Sequence, residues 1–189
     1  MNLKPWSVVL GGGLMGRLLA STLARDGHRV ELFEAQQADA QGAAARVAAA
    51  MLAPLAESAI TEPGVVRMGE YALSRWPQLL QTLPEPVYFQ RNGTLILWHR
   101  QDQAEARRFS QLIARNQQGQ PSLPAPQALE AEALAEHEPA VAQRFAQGLY
   151  LPGEGQLDNR QLLSALWTDL KQQGVQLHCN SPRDVRDFS

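Results

Sequence analysis

The feature that most constrains this chain lies near its N-terminus, where residues 11–16 (GGGLMG) fit the pattern G-x-G-x-x-G. The pattern follows a short apolar run, residues 6–10 (WSVVL), and precedes a stretch in which leucines recur at helical spacing. A β-rich run, residues 29–34 (RVELFE), comes after Gly27, a residue suited to ending a helix. Strand, helix and strand within about 30 residues predict a right-handed βαβ unit with parallel strands.

In that context each glycine has a role in binding a nucleotide. Gly11 makes a tight turn, Gly13 lets the backbone approach a diphosphate, and Gly16 lets helix and strand pack closely. Glu34 ends the second strand, where its carboxylate can accept hydrogen bonds from ribose hydroxyls and would repel a 2′-phosphate. These residues predict an unphosphorylated ADP-ribose unit, as in FAD or NAD, and do not separate the two cofactors.

The middle of the chain has a different composition. Alanine makes up 11 of the 22 residues from 35 to 56, which predicts a helix over 43–52 that Pro54 ends. Pro63 is well placed to begin a further helix. Asn92-Gly93 between the apolar runs 87–90 and 94–98 predicts a hairpin, because both residues tolerate a positive φ.

The remaining elements are predicted from periodicity and capping residues. We expect an amphipathic helix over 102–115 with Phe109, Leu112 and Ile113 inside, a short helix over 128–136 and a strand over 148–151. Asp158 is predicted to cap a helix, and a final strand over 175–179 follows. The fold class is therefore α/β, a Rossmann-like βαβ unit with an antiparallel α+β insertion.

Composition excludes several classes of protein. The 17 Lys and Arg residues against 19 Asp and Glu give a net charge of −2, which argues against a nucleic-acid partner. No stretch approaches the ~20 apolar residues of a membrane span. Arg17 interrupts the apolar N-terminus, which disfavours a secretion signal, and a lone Cys179 fits a reducing compartment, so we expect a cytoplasmic protein. The four histidines show no metal-ligand spacing, and no metal site is predicted.

Several separated motifs together resemble the D-amino-acid oxidase superfamily. They are residues 8–16 (VVLGGGLMG), 31–34 (ELFE) and 48–54 (AAAMLAP), followed in the family's order by 92–95 (NGTL), 138–140 (EPA) and 148–155 (GLYLPGEG). Within the superfamily, the sequence is most similar to the glycine oxidases of thiamine biosynthesis. The resemblance covers nearly the whole chain.

This resemblance implies FAD as the cofactor and assigns its contacts. In addition to the glycines of the loop, the contacts fall on Leu14, Met15, Glu34, Ala35, Ala49, Ala50 and Met51. Met51 and Ala56 would lie near the flavin and the substrate. At Ala44 and Ala45 similar enzymes often carry Ser or Thr, so only backbone N–H groups would remain to meet the cofactor. The resemblance assigns no acid–base pair of side chains, and no catalytic residue is predicted.

The activity implied is oxidation of glycine or a related small amino acid to an imine, with oxygen reduced to hydrogen peroxide, in thiamine biosynthesis. A homo-oligomer is expected. Family members are about twice as long, so the chain is expected to be the N-terminal half of such an oxidase. The resemblance implies an FAD-binding part over 1–86, part of a substrate domain over 87–151, and a return to the FAD-binding domain over 152–189.

Other interpretations stay open. A D-amino-acid dehydrogenase or a sarcosine-type oxidase would share the same N-terminal half, and the residues that discriminate them would lie in the other half. A fragment that holds a nucleotide without catalysis belongs to a different class of protein. An absorbance scan for bound flavin would distinguish these flavoenzymes from a fragment that binds nothing.

Overall fold

A computed structural model of the protein describes residues 4–188, which form nine β-strands and eight α-helices. The strands are β1 Trp6–Leu10, β2 Arg29–Phe33, β3 Met51–Leu52, β4 Phe89–Gln90, β5 Thr94–Leu97, β6 Gln127–Glu130, β7 Gln147–Leu151, β8 Gly155–Leu157 and β9 Gln176–His178. The helices are α1 Leu14–Arg25, α2 Ala44–Val47, α3 Pro54–Glu57, α4 Pro63–Gln81, α5 Gln103–Gln118, α6 Ala131–His137, α7 Pro139–Ala142 and α8 Asn159–Gln172.

The described residues divide into two compact units. The first unit contains the chain up to Ala50, then Gln78–Tyr88, and the chain from Leu157 onward. The second contains Met51–Pro77 and Phe89–Gln156. The three segments expected from the sequence, 1–86, 87–151 and 152–189, stay a prediction.

The first unit is built on a parallel sheet with the strand order β1-β2-β9. Strand β1 pairs with β2 so that Val9 lies opposite Leu32, and Leu32 in turn lies opposite Leu177 of β9. Helix α1 connects β1 to β2 and is followed by Gly27, whose φ of +88° only glycine adopts readily. This arrangement confirms the predicted βαβ unit and the α/β fold class.

Helix α8 completes the core of the first unit. The Asp158 carboxylate accepts hydrogen bonds from the backbone N–H groups of Arg160 and Gln161, both at 2.9 Å, and so caps the helix as predicted. Four leucines of α8 are buried, as expected: Leu162, Leu163, Leu166 and Leu170. A polar link joins the helix to α1, because Asp169 accepts from Ser21 at 2.7 Å and from Arg25 at 2.6 Å.

The second unit contains an antiparallel sheet with the order β5-β7-β6 and a smaller sheet with the order β3-β8-β4. In the smaller sheet Met51 lies opposite Gln156, and Leu52 lies opposite Gly155. The core of this unit consists of Leu55, Val66, Ile113, Leu123, Leu149 and Leu151. The antiparallel insertion is therefore present.

The helix predicted over 43–52 is wrong in most of its length. Helix α2 ends at Val47, Ala48 is extended, and Ala50 has a φ of +56°, which no helix residue adopts. Met51 and Leu52 then form a strand, and Pro54 begins α3 instead of ending a helix. Alanine propensity is a weak determinant and yields here to strand pairing with β8.

The predicted hairpin around Asn92-Gly93 is also wrong. Gly93 has the positive φ of +81° that the pattern indicated. Its flanking strands, however, do not pair with each other, because β4 joins the small sheet and β5 pairs with β7. The Gly93 N–H donates to the Glu154 carbonyl at 3.0 Å, so a long-range contact replaces the local turn.

Two smaller corrections concern residues 102–137. Residues 127–130 form the edge strand β6, paired antiparallel with β7, and the helix predicted over 128–136 begins only at Ala131. In α5, Ile113 is buried and Phe109 packs against the core, as predicted, but Leu112 is exposed. The apolar periodicity therefore predicted the helix correctly but predicted a buried face that is too wide, since it included Leu112.

Candidate cofactor site

The glycine loop adopts the geometry that its sequence pattern indicates. Gly11 has a φ of +100°, and its N–H donates to the Phe33 carbonyl at 2.8 Å, which ties the loop to β2. A Cβ atom on Gly16 would lie 1.8 Å from the Gly11 carbonyl oxygen. No side chain larger than hydrogen fits at Gly16, because the obstacle is backbone.

Gly13 leaves open space in front of the loop. Its backbone is extended, and a Cβ atom built there would come no closer than 3.7 Å to the nearest atom, the Cβ of Ala43. The first intrahelical bond of α1 runs from the Arg17 N–H to the Gly13 carbonyl, at 3.0 Å. The N–H groups of Leu14 and Met15 therefore have no partner within the helix and carry its positive dipole end. This is the arrangement that a diphosphate requires.

Glu34 lies directly after β2, beside this loop. Its Oε2 atom accepts from the Gly12 N–H at 2.6 Å, and its Oε1 atom accepts from the Gln36 N–H at 2.8 Å. A carboxylate has about four acceptor positions, so two remain for the hydroxyl groups of a ribose. A cavity of about 350 Å³ adjoins this point and is lined by Ala35, Gln36, Gln37, Asp39, Gln41 and Asn180.

The alanines predicted to contact the cofactor lie in and after α2. Ala44 and Ala45 form the first turn of this helix, next to Ala43. The Asn159 side chain donates to the Ala45 carbonyl and, at 2.6 Å, to the Ala48 carbonyl. These bonds fix the segment against the start of α8, so its backbone is held in place although it lacks Ser and Thr side chains.

Met51 and Ala56, the two residues predicted near the substrate, belong to the second unit. Met51 is exposed in β3, and Ala56 is half-buried in α3. A buried glutamate that the sequence analysis did not single out, Glu154, holds α3: its Oε1 atom accepts from the N–H groups of Leu55 and Ala56, both at 2.9 Å. Burial raises the pKa of Glu154, although the two backbone donors oppose the shift.

Within residues 4–188, no group of three or more His, Cys, Asp and Glu side chains could hold a metal ion. None of the helices in this part of the chain is both long and apolar enough to cross a membrane.

Taken together, the first unit fits the ADP part of FAD. An open face at Gly13 leaves room for a diphosphate, free N–H groups at α1 complement its charge, and Glu34 retains acceptor positions for a ribose. Ala35 lines the adjoining cavity, where an adenine could lie.

The chain is similar in sequence to an oxidoreductase and in structure to two oxidases. The chain is 34% identical over 170 residues to a Rhizobium etli protein described as a thiamine biosynthesis oxidoreductase, ThiO. Its structure matches glycine oxidase from Geobacillus kaustophilus with a TM-score of 0.77 and 25% identity over 92% of the chain. L-α-glycerophosphate oxidase from Mycoplasma pneumoniae, solved with FAD bound, shares the fold at 20% identity over 95% of the chain, with a TM-score of 0.69.

The chain spans 47% of the length of the Rhizobium protein, 46% of the length of the Geobacillus glycine oxidase and 45% of the Mycoplasma oxidase. The sequence pattern of the family described as FAD dependent oxidoreductase (DAO) matches residues 7–187. The resemblance inferred from the motifs is confirmed, as is FAD as the cofactor of the family. The chain belongs to the DAO family of FAD-dependent oxidoreductases.

Proposed function

We propose that the chain forms the FAD-binding half of an oxidase that acts on glycine or a related small amino acid, in thiamine biosynthesis. The observation that carries the proposal is the glycine loop, open at Gly13 and flanked by Glu34 at the end of β2. The kinship with a ThiO protein and with a glycine oxidase supports the choice of substrate class. A cytoplasmic location and a homo-oligomeric state stay predictions.

Each part of the site has a proposed role in holding FAD. The N–H groups of Leu14 and Met15 meet the diphosphate across the open face of Gly13. Glu34 accepts from ribose hydroxyls, and Ala35 borders the adenine. A further set of residues presents backbone to the flavin end of the cofactor: Ala44, Ala45, Ala49, Ala50 and Met51.

The proposed reaction breaks one Cα–H bond and one N–H bond of the amino acid. It removes two electrons and two protons, and the carbon–nitrogen single bond becomes the double bond of the imine. Bound FAD supplies the electron-accepting ring for this chemistry. The electrons pass finally to O₂, which becomes hydrogen peroxide. The task of this chain is then to bind and orient, and the Glu154 bonds that fix the Ala56 backbone belong to that task.

The experiment that tests this function compares FAD binding by the wild-type chain and by Gly13→Val. Valine suits the extended backbone at this position and meets the Ala43 Cβ at an ordinary contact distance, so the fold should tolerate it. Its methyl groups would occupy the space where the diphosphate must lie. We expect FAD affinity to fall by about a hundredfold or more, roughly 2.7 kcal/mol, in a calorimetric titration.

Gly64→Val is the matched control. Gly64 lies in the first turn of α4, in the second unit, and a Cβ atom there meets nothing closer than 3.9 Å. This variant should bind FAD as the wild type does. Equal FAD affinity in Gly13→Val and the wild type would refute the site, and no FAD binding by the wild type would refute the proposed function.

A further inference from the structure

Arg17 is a buried cation directly behind the glycine loop. It follows Gly16 in the first turn of α1, and only 1% of its surface is exposed. Arginine is rarely buried to this extent unless an acidic group pairs with it, because removing a full charge from water is costly.

The guanidinium group binds backbone carbonyls from three parts of the first unit. Its Nε atom donates to the Gly12 carbonyl at 2.6 Å, and its two terminal nitrogens donate to the carbonyls of Leu163 and Ala38, each at 2.7 Å. The guanidinium carbon also lies 4.6 Å from the centre of the Trp167 ring. Every one of these partners is electrically neutral.

No carboxylate oxygen of residues 4–188 lies within 4 Å of this guanidinium group. Burial lowers the pKa of Arg17, and attraction to the carboxylates of Glu34 and Asp39 opposes the shift. A guanidinium group stays charged at neutral pH. Arg25, which is also on α1, differs in this respect, because it is partly exposed and meets the Asp169 carboxylate at 2.6 Å. Within residues 4–188, Glu34 and Asp39 act on this buried cation only from beyond ion-pair distance, so Arg17 has no directly paired anion.

We propose that Arg17 is a positioning residue for the diphosphate of the dinucleotide. By binding the Gly12 carbonyl, it holds that peptide group on the inner side of the loop and leaves the outer side to N–H groups. The negative charge of the diphosphate then balances the positive charge of Arg17, with the backbone of the glycine loop lying between them. This inference rests on the proposed function, since it requires a dinucleotide at the loop.

A comparison of ADP with adenosine separates this role from a purely structural one. Both ligands present the adenine and ribose, and only ADP carries the diphosphate. In Arg17→Gln, an amide replaces the cation but can still donate to a carbonyl. We expect its ADP affinity to fall by about tenfold or more while its adenosine affinity is unchanged, as measured by titration calorimetry. Arg17→Lys keeps the charge and should keep most of the preference for ADP.

Arg25→Gln is the control variant, because Arg25 also links α1 to α8 but has its own carboxylate partner. It should leave the preference for ADP at the wild-type value. Equal losses of ADP and adenosine affinity in Arg17→Gln, or no loss at all, would overturn the inference. If that variant does not fold, Arg17→Lys decides, and a lost preference for ADP in the folded lysine variant would overturn the inference.

The wild-type measurement keeps the two proposals apart. If the wild type binds ADP more tightly than adenosine and Arg17→Gln shows the same preference, only the role of Arg17 fails. If the wild type binds neither ligand, the proposed function fails and the role of Arg17 fails with it.

Discussion

At the scale of single residues, two buried ionisable side chains make contacts that the apolar pattern of the sequence does not predict. Arg17 binds three carbonyls behind the glycine loop, and Glu154 holds the first turn of α3. In the sequence, Arg17 is an interruption of an apolar run and Glu154 is one acidic residue among many. Their importance depends on long-range partners, since Leu163 lies 146 residues from Arg17 and Leu55 lies 99 residues from Glu154.

Glu154 should make stability depend on pH. Because burial raises its pKa in the folded state, the proton-linked stabilisation is fully present below the unfolded value, near 4.5, and is lost as the pH rises through the folded pKa. Glu154→Gln cannot ionise, and its carbonyl can still accept from Leu55 and Ala56. Each unit of pKa difference corresponds to about 1.4 kcal/mol of unfolding free energy.

Denaturant unfolding at a series of pH values measures this effect. The wild type should lose stability relative to Glu154→Gln as the pH rises above 4.5. Glu132→Gln, a change at an exposed position in α6, should follow the wild-type curve. Parallel curves for the wild type and Glu154→Gln would contradict the assigned pKa shift.

At the scale of elements, local signals predicted well wherever the pairing is local. The strands and the helix of the βαβ unit were predicted almost to the residue, because adjacent segments pair and one helix connects them. The cap at Asp158 was found for the same reason. Its partners are the N–H groups of Arg160 and Gln161, two and three residues away.

Elements were missed where the partner of a strand is distant in sequence. Strand β3 is two residues long, and β8, which pairs with it, lies about a hundred residues away, so alanine propensity alone indicated a helix. The Asn92-Gly93 signal identified the positive φ but not the partners of the flanking strands. Of the candidate site, the glycine loop and Glu34 follow from spacing, whereas Glu154 requires the fold.

Removal of the Asp158 cap should destabilise the first unit. Asp158→Ala loses both hydrogen bonds to the first turn of α8, a change worth about 1 kcal/mol. For a chain of this size the melting temperature should fall by about 2–4 °C, as followed by circular dichroism. Asp158→Asn keeps a capping oxygen and should melt close to the wild type. An alanine variant that melts at the wild-type temperature would show that this cap contributes nothing.

At the scale of the whole molecule, the chain spans less than half the length of the relatives that it matches. The proposed oxidation would require the α-carbon of the amino acid to be held against the flavin, and a cation that binds the substrate carboxylate would do this. Arg91, one of the arginines of the second unit, is a cation of this kind, but its Nε atom already donates to the Gly153 carbonyl at 3.1 Å. Holding a substrate in its reactive orientation can account for about 7–11 kcal/mol of the activation barrier.

We therefore expect the 189-residue chain, supplied with FAD, to show no useful turnover. The assay is hydrogen peroxide production from glycine, sarcosine and D-alanine by the purified chain. A full-length glycine oxidase under the same conditions is the positive control. Turnover above ~1 s⁻¹, which is typical of working enzymes, would show that the chain alone is catalytically competent.

The central claim, that this chain holds FAD, is tested most directly by titrating the wild-type protein with FAD and with NAD in a calorimeter. Both ligands carry an ADP unit for the glycine loop and Glu34, so they differ only in what lies beyond the diphosphate. The alanine-rich segment from Ala44 to Met51 should accommodate the flavin, and we predict tighter binding of FAD. Tighter binding of NAD than of FAD would contradict the account.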